Sequence, residues 1–107
     1  MNEDLSNCSA SEPFALRVIG DDMAPEFVDG HIIVIDPGGK LKSGCYVIAN
    51  HDGAMIFRQL IIDGAQYRLT AANTDLPEIL LGGIDDIVGV VSQRAGKRRS
   101  EHKRYDM

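Results

Sequence analysis

Three histidines, two cysteines and sixteen acidic side chains are the groups of this chain that could do chemistry. His31, His51 and His102 stand far apart and share no ligand spacing with Cys8 or Cys45. No metal site is expected from them. Gly38-Gly39-Lys40 has the glycines and lysine of a phosphate loop, but neither the rest of its spacing nor a helix after it. No cofactor is implied. Asp21 and Asp22 are adjacent. In an extended chain neighbours point to opposite sides, which makes them a poor acid/base pair. Cys45 opens an apolar run with no base beside it, and a buried structural thiol is expected there.

The elements that must position these groups read as β structure. Residues 14–19 put Phe14, Leu16 and Val18 on one side and Ala15, Arg17 and Ile19 on the other, until Gly20 ends the strand. Residues 22–30 contain Pro25 and close on Asp29-Gly30, which predicts a short helical turn and then a tight turn. Residues 31–36 are rich in β-branched side chains and bounded by turn residues, the pattern of a strand. Runs at 45–50, 54–62 and 65–71 are separated by Asp52-Gly53 and Asp63-Gly64. Asp-Gly between apolar runs is a strong hairpin signal, so a three-strand antiparallel meander is expected. A turn at 73–77, a brief strand at 79–81 and a last strand at 86–92 complete the series. Gly89 inside that last strand predicts a bulge or a close backbone approach. No helical period or repeat is sustained. The fold class is mostly β, with short antiparallel strands curled into a barrel-like or sandwich arrangement.

A length of 107 residues predicts one domain. The expected plan is a disordered segment at 1–12, a folded domain at 13–93 and a basic tail at 94–107. The N-terminal segment is polar and acidic, unlike a secretory signal. No apolar run approaches the length of a membrane span. A cytoplasmic protein without membrane contact is expected. Charge is uneven: residues 94–107 carry six basic side chains against two acidic, while residues 1–93 carry five basic against fourteen acidic. The acidic body repels phosphate backbones, so nucleic acid is expected at the tail or nowhere. A solvated, mobile terminus is the simpler expectation for the tail.

Leu16-Arg17-Val18-Ile19-Gly20-Asp21-Asp22-Met23, then Val28-Asp29-Gly30-His31-Ile32-Ile33-Val34, resembles the self-cleaving peptidase domain of the LexA, UmuD and phage-repressor family. The likeness continues through Leu41-Lys42-Ser43-Gly44, Val47-Ile48-Ala49, Phe57-Arg58-Gln59-Leu60, Leu69-Thr70-Ala71-Ala72-Asn73 and Ile87-Val88-Gly89-Val90-Val91. It covers about residues 14–92, and the order and spacing of the pieces carry it. The resemblance implies a compact β fold shared with signal peptidases, and commonly a homodimer.

The family resembled here uses a serine in Gly-x-Ser-Met as nucleophile and a neutral lysine as base. In this sequence the serine position falls on Asp22, within Gly20-Asp21-Asp22-Met23, and the lysine position on Arg58. A serine becomes a strong nucleophile when a base takes its proton. A carboxylate is a weaker one toward an amide. A lysine can be made neutral by burial, whereas an arginine keeps its proton under protein conditions. Arg58 therefore cannot be the general base, no catalytic residue is expected, and Asp22 and Arg58 are expected to form a charge pair. Ser43, Ser92 and Ser100 lie outside the serine motif, and Lys40 and Lys42 fall on a loop. The residues ahead of the domain contain no Ala-Gly or Cys-Gly pair, so no internal substrate is expected. The resemblance and its departures imply a non-catalytic relative, acting as a dimerisation module or as one that binds a peptide or protein partner in the former catalytic cleft, in transcriptional or stress regulation. The alternatives are a peptidase with an Asp22-centred site and a regulator touching nucleic acid through the tail.

Overall fold

The computed structural model describes residues 12–72 and 76–105. The segment before residue 12, with Cys8, and residues 73–75 of the expected turn lie outside the described residues. Eight strands form one antiparallel sheet: β1 (Phe14–Arg17), β2 (Ile32–Asp36), β3 (Tyr46–His51), β4 (Ala54–Asp63), β5 (Gln66–Thr70), β6 (Ile79–Leu81), β7 (Ile87–Ala95) and β8 (Lys103–Arg104). Their order is β1-β2-β7-β3-β4-β5-β6, with β8 added to β7. The mostly-β expectation holds. Single 3-10 turns at Ile84–Asp86 and Arg99–Glu101 are the helical elements among the described residues. None of them is long and apolar enough to cross a membrane.

The meander forms where the Asp-Gly signals predict it. Asp52 and Gly53 both have positive φ, 52° and 81°, and His51 pairs with Ala54 across this two-residue turn. The second turn lies one residue later than its signal. Asp63 still pairs with Gln66, so Gly64 and Ala65 make the turn and Gly64 alone takes positive φ. A glycine at the first central position suits that turn type without requiring its neighbour to follow.

The sheet coils so that its central strands are covered on both faces. On one face Ile33, Ile35, Ile48 and Val91 pack with Val18, Met23 and Phe27. On the other, Val47, Ala49 and Val90 pack with Cys45, Leu60, Leu69 and Leu81. Three consecutive residues of β3, Val47 to Ala49, are therefore buried. That is why this strand reads as a continuous apolar run rather than an alternating one. Cys45 is fully buried, as its sequence setting predicts, and burial pushes its thiol pKa up.

β7 is the junction of the sheet, pairing with β2, β3 and β8. Its Gly89 lies beside a register irregularity in β7 itself, where Ile48 and Ala49 of β3 pair with Gly89 and Ile87 and skip Val88. A Cβ at Gly89 would lie 2.6 Å from Ile35 Cγ2 and 3.1 Å from the Asp36 carbonyl oxygen. Gly89→Ala should therefore force β2 and β7 apart and cost about 1 to 2 kcal/mol. Chemical denaturation of the variant measures this, and a midpoint equal to the parent's would show that β2 yields freely.

The segment read from sequence as a basic tail carries part of the fold. β7 continues to Ala95, beyond the expected end at Ser92, because Ile32 and Ile33 of β2 pair with Ala95 and Arg94. The chain then turns back, and Arg94 and Gln93 pair with Lys103 and Arg104. The Tyr105 ring lies 5.3 Å from that of Phe27 and 5.6 Å from that of Tyr46. A mobile terminus is thus replaced, through Tyr105, by a clasp. What holds it is an aromatic contact across most of the sequence.

Candidate functional site

A cleft of about 270 Å³ opens between residues 16–19, at the end of β1, and residues 55–58, in the first half of β4. Both walls carry unpaired strand edges among the described residues. β1 is the last strand on its side of the sheet. β4 pairs with β3 from Ala54 to Gln59, but with β5 only from Gln59 onward, so its first half has one edge open. Leu16, Val18, Met23, Ile33 and Ile48 contribute apolar surface within the cleft. Ile19, 82% exposed, and Met55 stand at its rim.

The sequence-selected residues converge at one end of this cleft. Gly20 turns the chain out of β1 with φ 89°, and its N–H donates to Asp29 Oδ1 at 2.7 Å. Asp21 is exposed, and its carbonyl accepts from Ala24 N–H at 3.1 Å. Met23 is buried in the core, and its carbonyl accepts from Phe27 N–H at 3.0 Å. These bonds make a hydrogen-bonded turn, not a helical element, where residues 22–30 predict a short turn of helix. They also aim Asp22 into the cleft while Met23 anchors the backbone beneath it.

Arg58 Nη1 lies 3.5 Å from Asp22 Oδ2, so the two residues form a single long contact rather than a two-pronged one. Arg58 is the buried partner, its side chain 12% exposed, and Asp22 is 48% exposed. The same Nη1 donates to the Phe57 carbonyl at 2.8 Å, whereas the buried Nε has no protein partner among the described residues. The guanidinium is thus held mainly by its own strand. Removing it leaves a carboxylate that water still reaches, which limits the cost. Arg58→Ala should lower stability by less than about 1 kcal/mol through the ion pair. A urea titration reads this, and a loss several times larger would mean that the guanidinium stem packs the cleft floor.

The other groups weighed from sequence lie elsewhere. Ser43 Oγ accepts from Ile62 N–H at 3.0 Å, and Ser92 Oγ donates to the Val34 carbonyl at 3.3 Å. Both hydroxyls serve the sheet. Ser100, Lys40 and Lys42 are exposed and outside the cleft. His51 lies 3.4 Å from Asp52 at the hairpin tip.

Sequence reasoning missed the groups that brace the Asp22 turn from behind. Glu26 Oε2 accepts from Tyr105 Oη at 2.6 Å and from Lys103 Nζ at 2.8 Å. Arg94 Nη1 donates to the Glu26 carbonyl and lies 3.5 Å from its carboxylate. The Lys103 hydrogen bond, then that from Tyr105, holds the Glu26 pKa below the usual carboxylate value against the opposing effect of burial. Burial, then the hydrogen bond to Glu26, holds the Tyr105 pKa well above the usual tyrosine value. Next to this cluster the buried His31 accepts Val28 N–H at Nδ1, so its proton sits on Nε2, 3.2 Å from Glu101 Oε1. The only sequence signal for these contacts is a lone tyrosine after a basic run.

The two residues that the family resemblance selects, Asp22 on the turn after β1 and Arg58 on β4, thus meet at one end of the cleft. Residues 2–92 match the family model described as Peptidase S24-like. The chain belongs to the peptidase S24-like family. Among relatives of this S24-like chain, an HTH-type transcriptional regulator for conjugative element SXT from Vibrio cholerae is 40% identical over 87 residues, covering 75% of this chain and 40% of the relative. Prophage repressor CohE from Escherichia coli strain K12 is 40% identical over 94 residues, covering 84% of this chain and 42% of the relative. Repressor protein C2 of Salmonella phage P22 is 34% identical over 91 residues, covering 79% and 42%. The S24-like chain spans about two fifths of the length of these curated relatives.

Proposed function

We propose that this S24-like domain is a non-cleaving member of its family that holds an extended peptide segment in the cleft, self-associates, and serves a regulator of transcription. The observation that carries the reading is the Arg58 guanidinium, 3.5 Å from the Asp22 carboxylate at the end of the cleft. A guanidinium does not accept a proton, so no base faces the carboxylate from that position. The hydroxyls of Ser43 and Ser92 lie outside the cleft and are engaged in the sheet. The two unpaired strand edges support peptide capture, because an added strand gains main-chain hydrogen bonds while its apolar side chains enter the cleft. The names of the relatives, two repressors and an HTH-type regulator, support the regulatory setting.

Intact-mass measurement after long incubation, from neutral to alkaline pH, tests the absence of cleavage. The full chain should keep its mass throughout. Cleavage that disappears on Asp22→Ala would establish the Asp22-centred peptidase instead. Sedimentation velocity over a wide concentration range tests self-association. A dimer persisting at low micromolar concentration is expected, and a monomer throughout would remove that part of the reading.

A further inference from the structure

The fold sorts the charges of the C-terminal hairpin into two sets. Arg94 and Lys103 turn inward to Glu26. Glu101, the acid of the connecting turn, also faces inward, to His31. Four cations are left outside. Lys97, Arg98 and Arg99 are consecutive and exposed in the turn between β7 and β8, and Arg104 is exposed on β8. Among the described residues none of the four has an acidic side chain within 4.0 Å. The turn that presents them is fixed at both ends by the β7–β8 pairing and the Tyr105 contacts.

From this sorting we infer that the β7–β8 hairpin is a binding surface for the phosphate backbone of a nucleic-acid duplex, read without regard to base sequence. Three of the four cations are arginines, whose planar forks match phosphate oxygens. Residues 96–100 contain glycine, serine and cations and no apolar side chain. A protein interface is built around an apolar centre, whereas contacts to phosphates need none. No Phe, Tyr or Trp side chain lies within residues 96–102 to stack on unpaired bases, which favours a duplex over a single strand. The body of the chain, residues 1–93, carries a net charge of −9 and repels the same backbone. Approach is therefore confined to the hairpin end, and the contact is short-ranged and sensitive to salt.

The probe is a fluorescent duplex of about 20 base pairs with arbitrary sequence, titrated with the full chain and followed by anisotropy. Binding at low salt should fall in the range of roughly 10⁻⁴ to 10⁻⁶ M typical of sequence-independent contacts, and four phosphate contacts should weaken it roughly 100-fold between about 50 and 200 mM salt. Replacing Lys97, Arg98, Arg99 and Arg104 together with glutamine should abolish it with the circular dichroism spectrum unchanged. All four side chains are exposed, so the fold does not depend on their charge. Lys40→Gln with Lys42→Gln, on a loop outside the hairpin, should leave it intact. A flat salt response, full binding by the quadruple variant, or equal loss in the Lys40/Lys42 variant would overturn the inference. Tighter binding to polyglutamate than to the duplex would overturn it in favour of an acidic protein partner.

Discussion

Phe27→Ala should be the most damaging single substitution in the described chain, costing about 3 to 5 kcal/mol. Phe27 is fully buried and touches three other aromatic rings. Its ring meets Tyr46 and Phe57 edge-on, both at 4.8 Å, and lies against Tyr105. Truncation opens a cavity between the sheet face and the clasp, and rings fixed by backbone on three sides cannot close it. The loss should appear as a melting temperature lower by roughly 15 to 25 °C. A drop of only a few degrees would mean that the 22–31 turn collapses onto the gap. Because Phe27 ends the turn that presents Asp22, the variant should also loosen the cleft before it unfolds.

Glu26→Gln should cost about 2 kcal/mol near neutral pH, because Arg94 and Lys103 lose their counter-charge together. The sign of its pH dependence follows from the lowered pKa of Glu26. A carboxylate favoured in the folded state stabilises above its ordinary value of 4.5, and that stabilisation is lost as pH falls through the lower, folded value. The gap between parent and variant should therefore be widest near neutrality and narrow progressively below pH 4.5. Tyr105 contributes the opposite limb. Its raised pKa favours folding fully below the ordinary tyrosine value of 10.0, and the benefit is lost as pH climbs beyond it. Denaturant titrations of both proteins across the acid range decide the matter. A gap that stays constant with pH would show that Glu26 acts through packing rather than charge.

The parts of the molecule made by chain neighbours were legible in the sequence, and the parts made by distant residues were not. Asp52-Gly53 announces its hairpin because the turn geometry itself demands positive φ from both residues. The alternation of Phe14, Leu16 and Val18 against Ala15, Arg17 and Ile19 is a direct print of one buried and one open face. Gly89 was legible as an anomaly, and the close approach of Ile35 explains it. Asp22 and Arg58 could be matched through the family pattern, and the fold brings them together across 36 positions. The clasp was invisible for the converse reason. Glu26 and Tyr105 are 79 positions apart, and neither belongs to a periodic pattern that requires the other. Charge counting even pointed the wrong way, since it grouped Arg94 and Lys103 with the outward cations that they do not resemble in contact.

The place of β7 in the sheet also sets a timetable for assembly. β1 and β2 pair with each other, and β3 to β6 form a meander of neighbours, yet among the described residues the two pieces are laddered together only through β7. Each piece can zip from local contacts, whereas their junction waits for a strand that is synthesised late and must close long loops, the slow kind of step. The cleft takes one wall from each piece, residues 16–19 from the first and 55–58 from the second. Its width is therefore undefined in a nascent or half-folded chain. A peptide offered to the chain would therefore find both walls of the cleft only in finished molecules.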